Sequence, residues 1–289
     1  MSILRVLILA VVQGMAELLP ISSSAHVVVA EKLMGMNPSA PDMTLLLVML
    51  HTGTMLAVIL YFWSQWKRTL FQSRSVFKRS ALLLALATVI TGIGGELLIK
   101  IIERAWFHNA PDAEVEQLFS HLELIAPALA LAGVLIVIAG RLDKRRKPGI
   151  AKNSSGLEVK HAALIGAVQA FCLPFRGFSR SGATISTGML AGVTKERAEE
   201  FSFALAVLLT PPVIARETLR LFKAAHATSG PNFMSAVILG VVGACGAFLS
   251  GLLGLRWLSR WLESGRWHLF GIYCLLAAGA VWILHHIGY

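Results

Sequence analysis

The chain has 289 residues, of which 56% are apolar and only 15% are charged, and its mean hydropathy is +0.69. An ordinary soluble domain has about 25% charged residues, so too few are present here to cover a soluble surface. The composition also excludes a disordered chain, a collagen-like fibre and a small disulfide scaffold, and it indicates a polytopic membrane protein. The net charge of +10 therefore points to loop placement at a membrane rather than to nucleic-acid binding.

Six segments are long and apolar enough to span a membrane as helices, because a span needs about 20 such residues. They are 43–63, 80–102, 122–140, 201–222, 234–255 and 268–288.

The first apolar region, 3–19, is interrupted rather than continuous. It ends at Pro20 and three serines, and a short apolar run follows at 25–36. Half-length helices around a polar break are typical of a re-entrant hairpin, whose irregular backbone is tolerated only inside protein or beside water. A cleaved signal peptide is the alternative, but Gln13 and Glu17 would then lie within its apolar part.

A second interrupted region has the same form. Residues 161–173 are followed by Pro174, a polar stretch and a short apolar run at 182–193. We therefore predict an all-α polytopic membrane protein with six transmembrane helices and two re-entrant helical hairpins.

The basic residues predict the orientation of the chain. If both hairpins are re-entrant, four loops on one side hold 17 of the 26 Lys and Arg residues. These loops are 64–79, 141–160, 194–199 and 256–267. The opposite loop, 103–121, contains Glu103, Asp112, Glu114 and Glu116. The positive-inside rule makes the basic side cytoplasmic and places both termini outside. If the hairpins crossed the membrane fully, the basic loops would instead lie on both sides, so the charge distribution favours re-entrant hairpins.

The two interrupted regions resemble each other. Ala-Val-Val-Gln at 10–13 is echoed by Gly-Ala-Val-Gln at 166–169, and at this offset Ser23 falls opposite Ser179. A re-entrant hairpin returns to the side from which it enters, so a hairpin followed by three spans crosses the membrane three times. Because this number is odd, a second copy would have the inverted orientation. We predict a single integral membrane domain, 1–289, built from inverted repeats 1–145 and 155–289, with the hairpin tips meeting near the midplane, as in many secondary transporters.

Polar residues at the first break form one candidate site. Gln13 and Glu17 are four residues apart and share a helix face. The hydroxyls that follow belong to Ser22, Ser23 and Ser24, and His26 begins the next half-helix. An intramembrane carboxylate is a functional hypothesis by default, and amide and carboxylate oxygens suit Mg²⁺ or Ca²⁺. The structural alternatives are a Glu17–His26 pair or a Glu17 side chain reaching the membrane surface.

The second break carries cations and hydroxyls. Arg180 begins a half-helix and lies among small polar residues: Arg176, Gly177, Ser179, Ser181 and Thr184. A guanidinium group, hydroxyls and a helix N-terminus together suit an anion, above all phosphate. An Arg180–Glu17 pair that serves structure alone is the alternative. The residues at the two breaks together predict phosphoryl transfer on an amphiphilic phosphate.

Two polar residues lie in the middle of the first long span. His51 and Thr54 are placed either to line a cavity or, in the interpretation we favour for the histidine, to hydrogen-bond a neighbouring helix.

The two motifs resemble those of the bacterial undecaprenyl-pyrophosphate phosphatases, the bacitracin-resistance family. The family pattern Glu/Gln-x-x-x-Glu followed by Pro-x-Ser-Ser-x-x-His is matched from Gln13 to His26. The pattern Pro-Gly-x-Ser-Arg-Ser-x-x-Thr is matched up to Thr184, except that Arg176 stands in place of the proline. Segments 51–58 and 200–207 also resemble the family, so the resemblance covers nearly the whole chain.

The resemblance implies an enzyme of a bacterial inner membrane that hydrolyses the C55 lipid pyrophosphate to undecaprenyl phosphate and phosphate. It implies dependence on a divalent cation, recycling of the cell-wall carrier lipid and bacitracin resistance. In the family pattern Glu17 is the metal or acid–base carboxylate, Ser23 and His26 are the nucleophile and its partner, and Arg180 clamps the pyrophosphate. Whether serine, histidine or water attacks is open.

A transporter or flippase of polyprenyl phosphate or another anion, on the same inverted repeat, is the alternative function. The Glu–Ser–His set favours chemistry, because anion transport needs no nucleophile. The expected partners are a polyprenyl pyrophosphate lipid and the bilayer, with no nucleic acid. The oligomeric state is open, a homo-oligomer included.

Overall fold

The computed structural model describes residues 2–36, 41–107, 121–145, 156–227 and 233–288. These residues form ten helices and no strand. The helices are α1 Ile3–Leu18, α2 Ser23–Leu33, α3 Pro41–Thr69, α4 Arg74–Phe107, α5 Leu122–Arg145, α6 Val159–Cys172, α7 Arg180–Leu190, α8 Lys195–Ala227, α9 Phe233–Glu263 and α10 Trp267–His286. The acidic residues predicted for the outer loop, Asp112, Glu114 and Glu116, lie outside the described residues.

Five helices are long and apolar enough to cross a membrane. Their candidate spans are Met43–Thr69, Arg74–Ala105, Leu122–Lys144, Val237–Glu263 and Trp267–His286. This finding confirms an all-helical multi-pass membrane protein and matches five of the six predicted spans. The remaining predicted span, 201–222, lies in α8, which is not among the five helices found in the described part of the chain, so that span stays a prediction.

The first predicted break occurs where proline ends a helix, whereas at the second Leu173, before Pro174, keeps helical dihedrals of φ −66° and ψ −50°. The residue before Pro20, Leu19, is extended, with φ −76° and ψ 150°, because a proline disfavours the helical conformation of the residue that precedes it. The helices α2 and α7 have 11 residues each. At 1.5 Å per residue such a helix is about 16 Å long, against about 30 Å for the hydrocarbon core, so neither can cross alone.

The chain divides into two compact units. The first unit comprises Met1–Leu19, Ser23–Trp63 and Ala206–Leu258. Its core joins α1, α2, α3 and α9 through buried apolar side chains, which are Val6, Leu9, Ala10, Val27, Met43, Leu46, Leu50 and Ala247. Helix α1 comes so close to α9 that a Cβ atom at Gly14 would lie 2.6 Å from the Ala247 carbonyl oxygen.

The second unit comprises Pro20–Ser22, Ser64–Leu205 and Ser259–Tyr289. Its most extensive contacts are those of α5 with α10 and of α4 with α6, and α7 packs against both α5 and α6. Most residues of α7 are buried, including Gly182, Ala183, Ile185 and Met189, so this short helix is held by the helices around it.

The two units repeat one hydrogen bond. In the first, the Ser250 hydroxyl of α9 shares its proton between the Gly246 carbonyl of its own helix, at 2.8 Å, and the Ala10 carbonyl of α1, at 3.1 Å. In the second, the Thr91 hydroxyl of α4 donates to the Gly166 carbonyl of α6 over 3.0 Å. Ala10 and Gly166 occupy matching positions of the echoed segments, so the first half-helix of each segment is held by a hydroxyl in the same way.

The ends of α2 and α7 are also alike. Gly35 and Gly192 follow the two helices with φ values of +63° and +98°. At each end the glycine N–H donates to the carbonyl three residues earlier, and the next N–H donates to the carbonyl five residues earlier. This is the Schellman pattern, which a glycine in the left-handed region allows.

Candidate functional site

In the first unit, three polar side chains lie around one carboxylate oxygen of Glu17, and they belong to Gln13, Ser23 and His51. We call these residues, together with Glu17, the Glu17 cluster. The Ser23 hydroxyl donates to Glu17 Oε2 over 2.5 Å, and Gln13 Nε2 donates to the same oxygen over 3.2 Å. His51 Nε2 lies 3.8 Å from it. These donors replace water around a carboxylate whose side chain is only 17% exposed, which offsets the cost of burying its charge.

His51 differs from the sequence interpretation. Its Nδ1 hydrogen-bonds the Leu47 carbonyl oxygen of its own helix, over 2.8 Å, rather than a neighbouring helix. The other ring nitrogen faces Glu17 of α1. Thr54 donates to the His51 carbonyl over 2.9 Å and is buried, so its hydroxyl proton is used within α3.

Two further predicted residues lie on α2. Ser24 and His26 are both partly buried. His26 follows Ser23 by three residues, so the two side chains lie on one side of the helix. The predicted partnership of His26 with the nucleophile stays a prediction.

In the second unit, the predicted anion site is at the start of α7. Arg180 is the first residue of the helix, and the Ser179 hydroxyl caps it by accepting the Gly182 N–H over 3.2 Å. Ser179 and Ser181 are buried, and Arg180 is partly buried. The positive end of the helix dipole and the guanidinium group therefore coincide, which favours a bound anion.

Gly177 shapes the loop that leads into α7. Its φ is +101°, and a Cβ atom there would lie 2.5 Å from the Ile125 carbonyl oxygen of α5. Both the backbone conformation and the close approach require glycine. The structure thus gives a backbone reason for the glycine of the family pattern at position 177. The neighbouring Arg176 is partly buried.

Thr184 supports the first turn of α7. Its hydroxyl donates to the Arg180 carbonyl over 2.8 Å and lies 2.6 Å from the Ser202 hydroxyl of α8. Both side chains are fully buried. Sequence reasoning missed Ser202, although it lies in the segment 200–207 that resembles the family.

The turn Pro20–Ser22 packs within the second unit. The Cys274 thiol of α10 donates to the Pro20 carbonyl over 3.4 Å, and a Cβ atom at Gly182 would lie 3.2 Å from the same oxygen. Ser22 is buried with φ +68°, a conformation that costs a non-glycine residue about 1–3 kcal/mol. The surroundings impose this strain on a serine predicted to bind substrate.

Two buried carboxyl groups at the start of α8 were not predicted. Glu199 accepts a hydrogen bond from the Ser259 hydroxyl of α9 over 3.0 Å. Burial raises the pKa of Glu199 to about 7. Glu200 accepts from Arg197 over 3.0 Å and from the Thr69 hydroxyl. Glu199 falls in the predicted loop 194–199 and Glu200 begins the segment 200–207 that resembles the family, and only their packing shows that they tie α8 to α9 and α3.

The carboxylate and amide oxygens of the Glu17 cluster fit a divalent cation that is also bound by a phosphate. Among the described residues, no group of three or more His, Cys, Asp or Glu side chains could hold a metal ion. Mg²⁺ commonly takes one or two carboxylates and completes its shell with substrate phosphates and water. Glu17 supplies one carboxylate, and Gln13, which uses its Nε2 to bond Glu17, retains an amide oxygen.

The comparisons with known proteins agree with the motifs. A family model described as bacitracin resistance protein BacA matches residues 6–280. The chain is 56% identical over 284 residues to undecaprenyl-diphosphatase 2 of Acinetobacter baylyi, covering 97% of both chains. It is 36% identical over 287 residues to undecaprenyl-diphosphatase 2 of Burkholderia ambifaria, covering 96% of this chain and 95% of the relative. The chain therefore belongs to the bacitracin resistance protein BacA family.

Proposed function

We propose that the protein is an undecaprenyl-diphosphatase, which hydrolyses the C55 lipid pyrophosphate to undecaprenyl phosphate and phosphate. Relatives that match along nearly their whole length carry this name. The observation that carries the proposal within the structure is the Ser23–Glu17 hydrogen bond of 2.5 Å. A hydroxyl held against a carboxylate is the arrangement of an activated nucleophile, which a transporter does not need.

In the first proposed step, Ser23 Oγ attacks the terminal phosphorus while Glu17 Oε2 takes its proton. The Oγ–P bond forms, the bridging P–O bond breaks, and undecaprenyl phosphate leaves with the bonding electrons. Water then attacks the phosphoserine, releases phosphate and restores Ser23, with Glu17 and His26 handling the protons. Gln13 holds the Glu17 carboxylate in place through its Nε2 hydrogen bond.

Arg180 neutralises charge on the pyrophosphate, and its position at the start of α7 adds the helix dipole. The other residues proposed to bind substrate are the hydroxyl, glycine and cationic residues of the two breaks: Ser22, Ser24, Arg176, Gly177, Ser179, Ser181 and Thr184. A bound Mg²⁺ or Ca²⁺ supplies further neutralisation of the phosphates, and Glu17 with the Gln13 amide oxygen would hold it.

The product recycles the carrier lipid of cell-wall synthesis and thereby confers bacitracin resistance. We place the protein in the inner membrane of a bacterium, with two re-entrant hairpins, inverted repeats 1–145 and 155–289, and both termini outside. The equivalent Ser250–Ala10 and Thr91–Gly166 hydrogen bonds support the repeat. A cysteine introduced at position 112 of a cysteine-free variant should react with an impermeant label from outside; labelling only from the cytoplasm would reverse the orientation.

The decisive experiment measures phosphate release from a C15 or C55 prenyl pyrophosphate by the purified protein in detergent. We expect release that EDTA stops and added Mg²⁺ or Ca²⁺ restores. Binding of the lipid without any release, at every cation concentration, would refute the enzyme and leave the transporter alternative.

Matched variants test the site. Arg180→Ala should abolish release, whereas Arg74→Ala, at the exposed start of α4, should leave it unchanged. Ser23→Ala should be inactive and Ser24→Ala partly active, and Glu17→Gln should sharply reduce turnover. Wild-type rates in Arg180→Ala or Glu17→Gln would show that the site is elsewhere.

A further inference from the structure

Gln169 of α6 places an amide in the interior of the second unit. Its side chain is only 1% exposed. Neither its Oε1 nor its Nε2 has a hydrogen-bond partner among the residues that the structure describes. A buried amide in this state is costly, because it has given up its hydrogen bonds to water and gained none in the fold. Such a group in a native protein needs an explanation, and a bound ligand provides one.

Gln169 lies on the side of α6 that faces α7. Ile165 and Cys172 are one turn before and one turn after it and share its side of the helix. A Cβ atom at Gly188 of α7 would lie 3.5 Å from Ile165 Cδ1. At the other end, the Arg180 guanidinium is close enough to the Cys172 thiol to act on it electrostatically. The two helices therefore run antiparallel, and Gln169 lies about one helical turn from the level of Arg180.

The first of the two echoed segments shows what a glutamine at this position does. Gln13 occupies the position that matches Gln169, and its Nε2 donates to the Glu17 carboxylate over 3.2 Å. At the same offset Leu173 stands opposite Glu17. The Leu173 side chain packs against Gly95 of α4. The second segment therefore keeps the amide donor of the first but has an apolar residue in place of its anionic acceptor.

We infer that Gln169 is a substrate-binding residue whose Nε2 donates a hydrogen bond to the phosphate that Arg180 neutralises. The inference rests on the proposed function and adds a residue of α6 to the anion site at the start of α7. A phosphate oxygen then accepts from Gln169 as the Glu17 carboxylate accepts from Gln13. Hydrogen bonds to a charged acceptor are the stronger ones, and a neutral amide provides one without burying a further charge.

The test combines the steady-state kinetics of phosphate release from a C15 prenyl pyrophosphate with the Tm of the same proteins without substrate. Gln169→Met removes both polar atoms and keeps the length of the side chain. We expect KM to rise about tenfold or more, as the loss of a hydrogen bond to a charged group predicts, with a smaller change in kcat. The Tm should equal or exceed that of the wild type, because the variant no longer buries an amide.

Thr88→Val is the matched control. Thr88 Oγ1 on α4 is also buried and has no hydrogen-bond partner within the described part of the chain. Helix α4 packs against α6 at Gly166, whereas α7 packs on the side of Ile165. The control therefore removes a similar polar atom away from α7, and it should leave KM unchanged and the Tm no lower. Gln169→Leu is a second apolar variant that should behave as Gln169→Met does.

Three results would overturn the inference. The first is an unchanged KM in both Gln169 variants, and the second is a clear fall of the Tm in both, which would show that the amide serves the fold. The third is an equal rise of KM in Thr88→Val, which would make the effect one of lost polarity anywhere in the second unit. Failure of the proposed function looks different, because the wild type then releases no phosphate with any cation. Release by the wild type with an unchanged KM in both Gln169 variants would remove this inference alone.

Discussion

Replacing Gly177 by alanine should damage the protein more than the same change at Gly192. Both glycines have φ values near +100°, at +101° and +98°, so alanine meets a similar conformational cost of about 1–2 kcal/mol at each. Their surroundings differ. A Cβ atom at Gly177 would lie 2.5 Å from the Ile125 carbonyl oxygen, whereas at Gly192 nothing lies within 4 Å. Overpacking of this kind adds about 1–3 kcal/mol.

We therefore expect a loss of about 1–2 kcal/mol in Gly192→Ala and about 2–5 kcal/mol in Gly177→Ala. At roughly 2–4 °C per kcal/mol for a chain of this size, the Tm should fall by a few degrees in the first variant and by clearly more in the second. Thermal unfolding followed by tryptophan fluorescence in detergent measures the difference.

Phosphate release completes the comparison. A Gly177 loop that moves away from Ile125 displaces Arg180, which follows it in the chain, so Gly177→Ala should also lose most of its activity. Gly192→Ala should retain most of it, because Gly192 lies beyond the far end of α7. Equal Tm and equal activity in the two variants would refute the importance of the contact with Ile125.

Three further predictions concern α7, α8 and the loop between α6 and α7. Burial raises the pKa of Glu199 from 4.5 to about 7, so the folded state loses up to about 3 kcal/mol of stability as the pH rises from about 4.5 through 7. Glu199→Gln should remove this loss, so the variant should have a higher Tm than the wild type at pH 8 and the same Tm near pH 4.5. The same Tm difference at both pH values would contradict a raised pKa of Glu199. Ser202→Ala should cost about 1 kcal/mol and lower kcat/KM, because Thr184 loses its hydroxyl partner; an unchanged Tm and rate would rule out this support. Arg176→Pro restores the family residue and should stay active in the phosphate assay, and inactivity would show that the loop has diverged.

The helix breaks were predictable because their causes are local. Pro20 excludes the helical conformation at Leu19, and the apolar runs on either side are too short to span, so the sequence predicted both half-helices of the first region. In the second region the apolar runs are again too short to span, and α7 begins at Arg180, but Leu173 before Pro174 stays helical, so proline does not act there in the same way. Hydropathy likewise predicted the five helices that meet the length and composition of a membrane span.

The partners of the site residues were less predictable. The Gln13–Glu17 hydrogen bond follows from helical spacing, since the residues are one turn apart. The approach of His51 to Glu17 joins residues of two different helices, and the sequence interpretation named only a neighbouring helix for His51, not the residue it faces. The predicted contact of Thr184 with substrate stays a prediction, and the structure adds that its hydroxyl bonds the Arg180 carbonyl and lies beside the Ser202 hydroxyl.

The sequence by itself determined the membrane character, the positions of the two breaks and the family motifs, because hydropathy, proline and residue spacing act along the chain. Only the tertiary structure decided that His51 faces Glu17, that Gly177 packs closely against the Ile125 carbonyl and that Glu199 is buried. These outcomes depend on which helix faces pack together, and in a chain that is 56% apolar many faces are equally suited to packing. The close contacts of glycine, serine and threonine between helices select one arrangement among them.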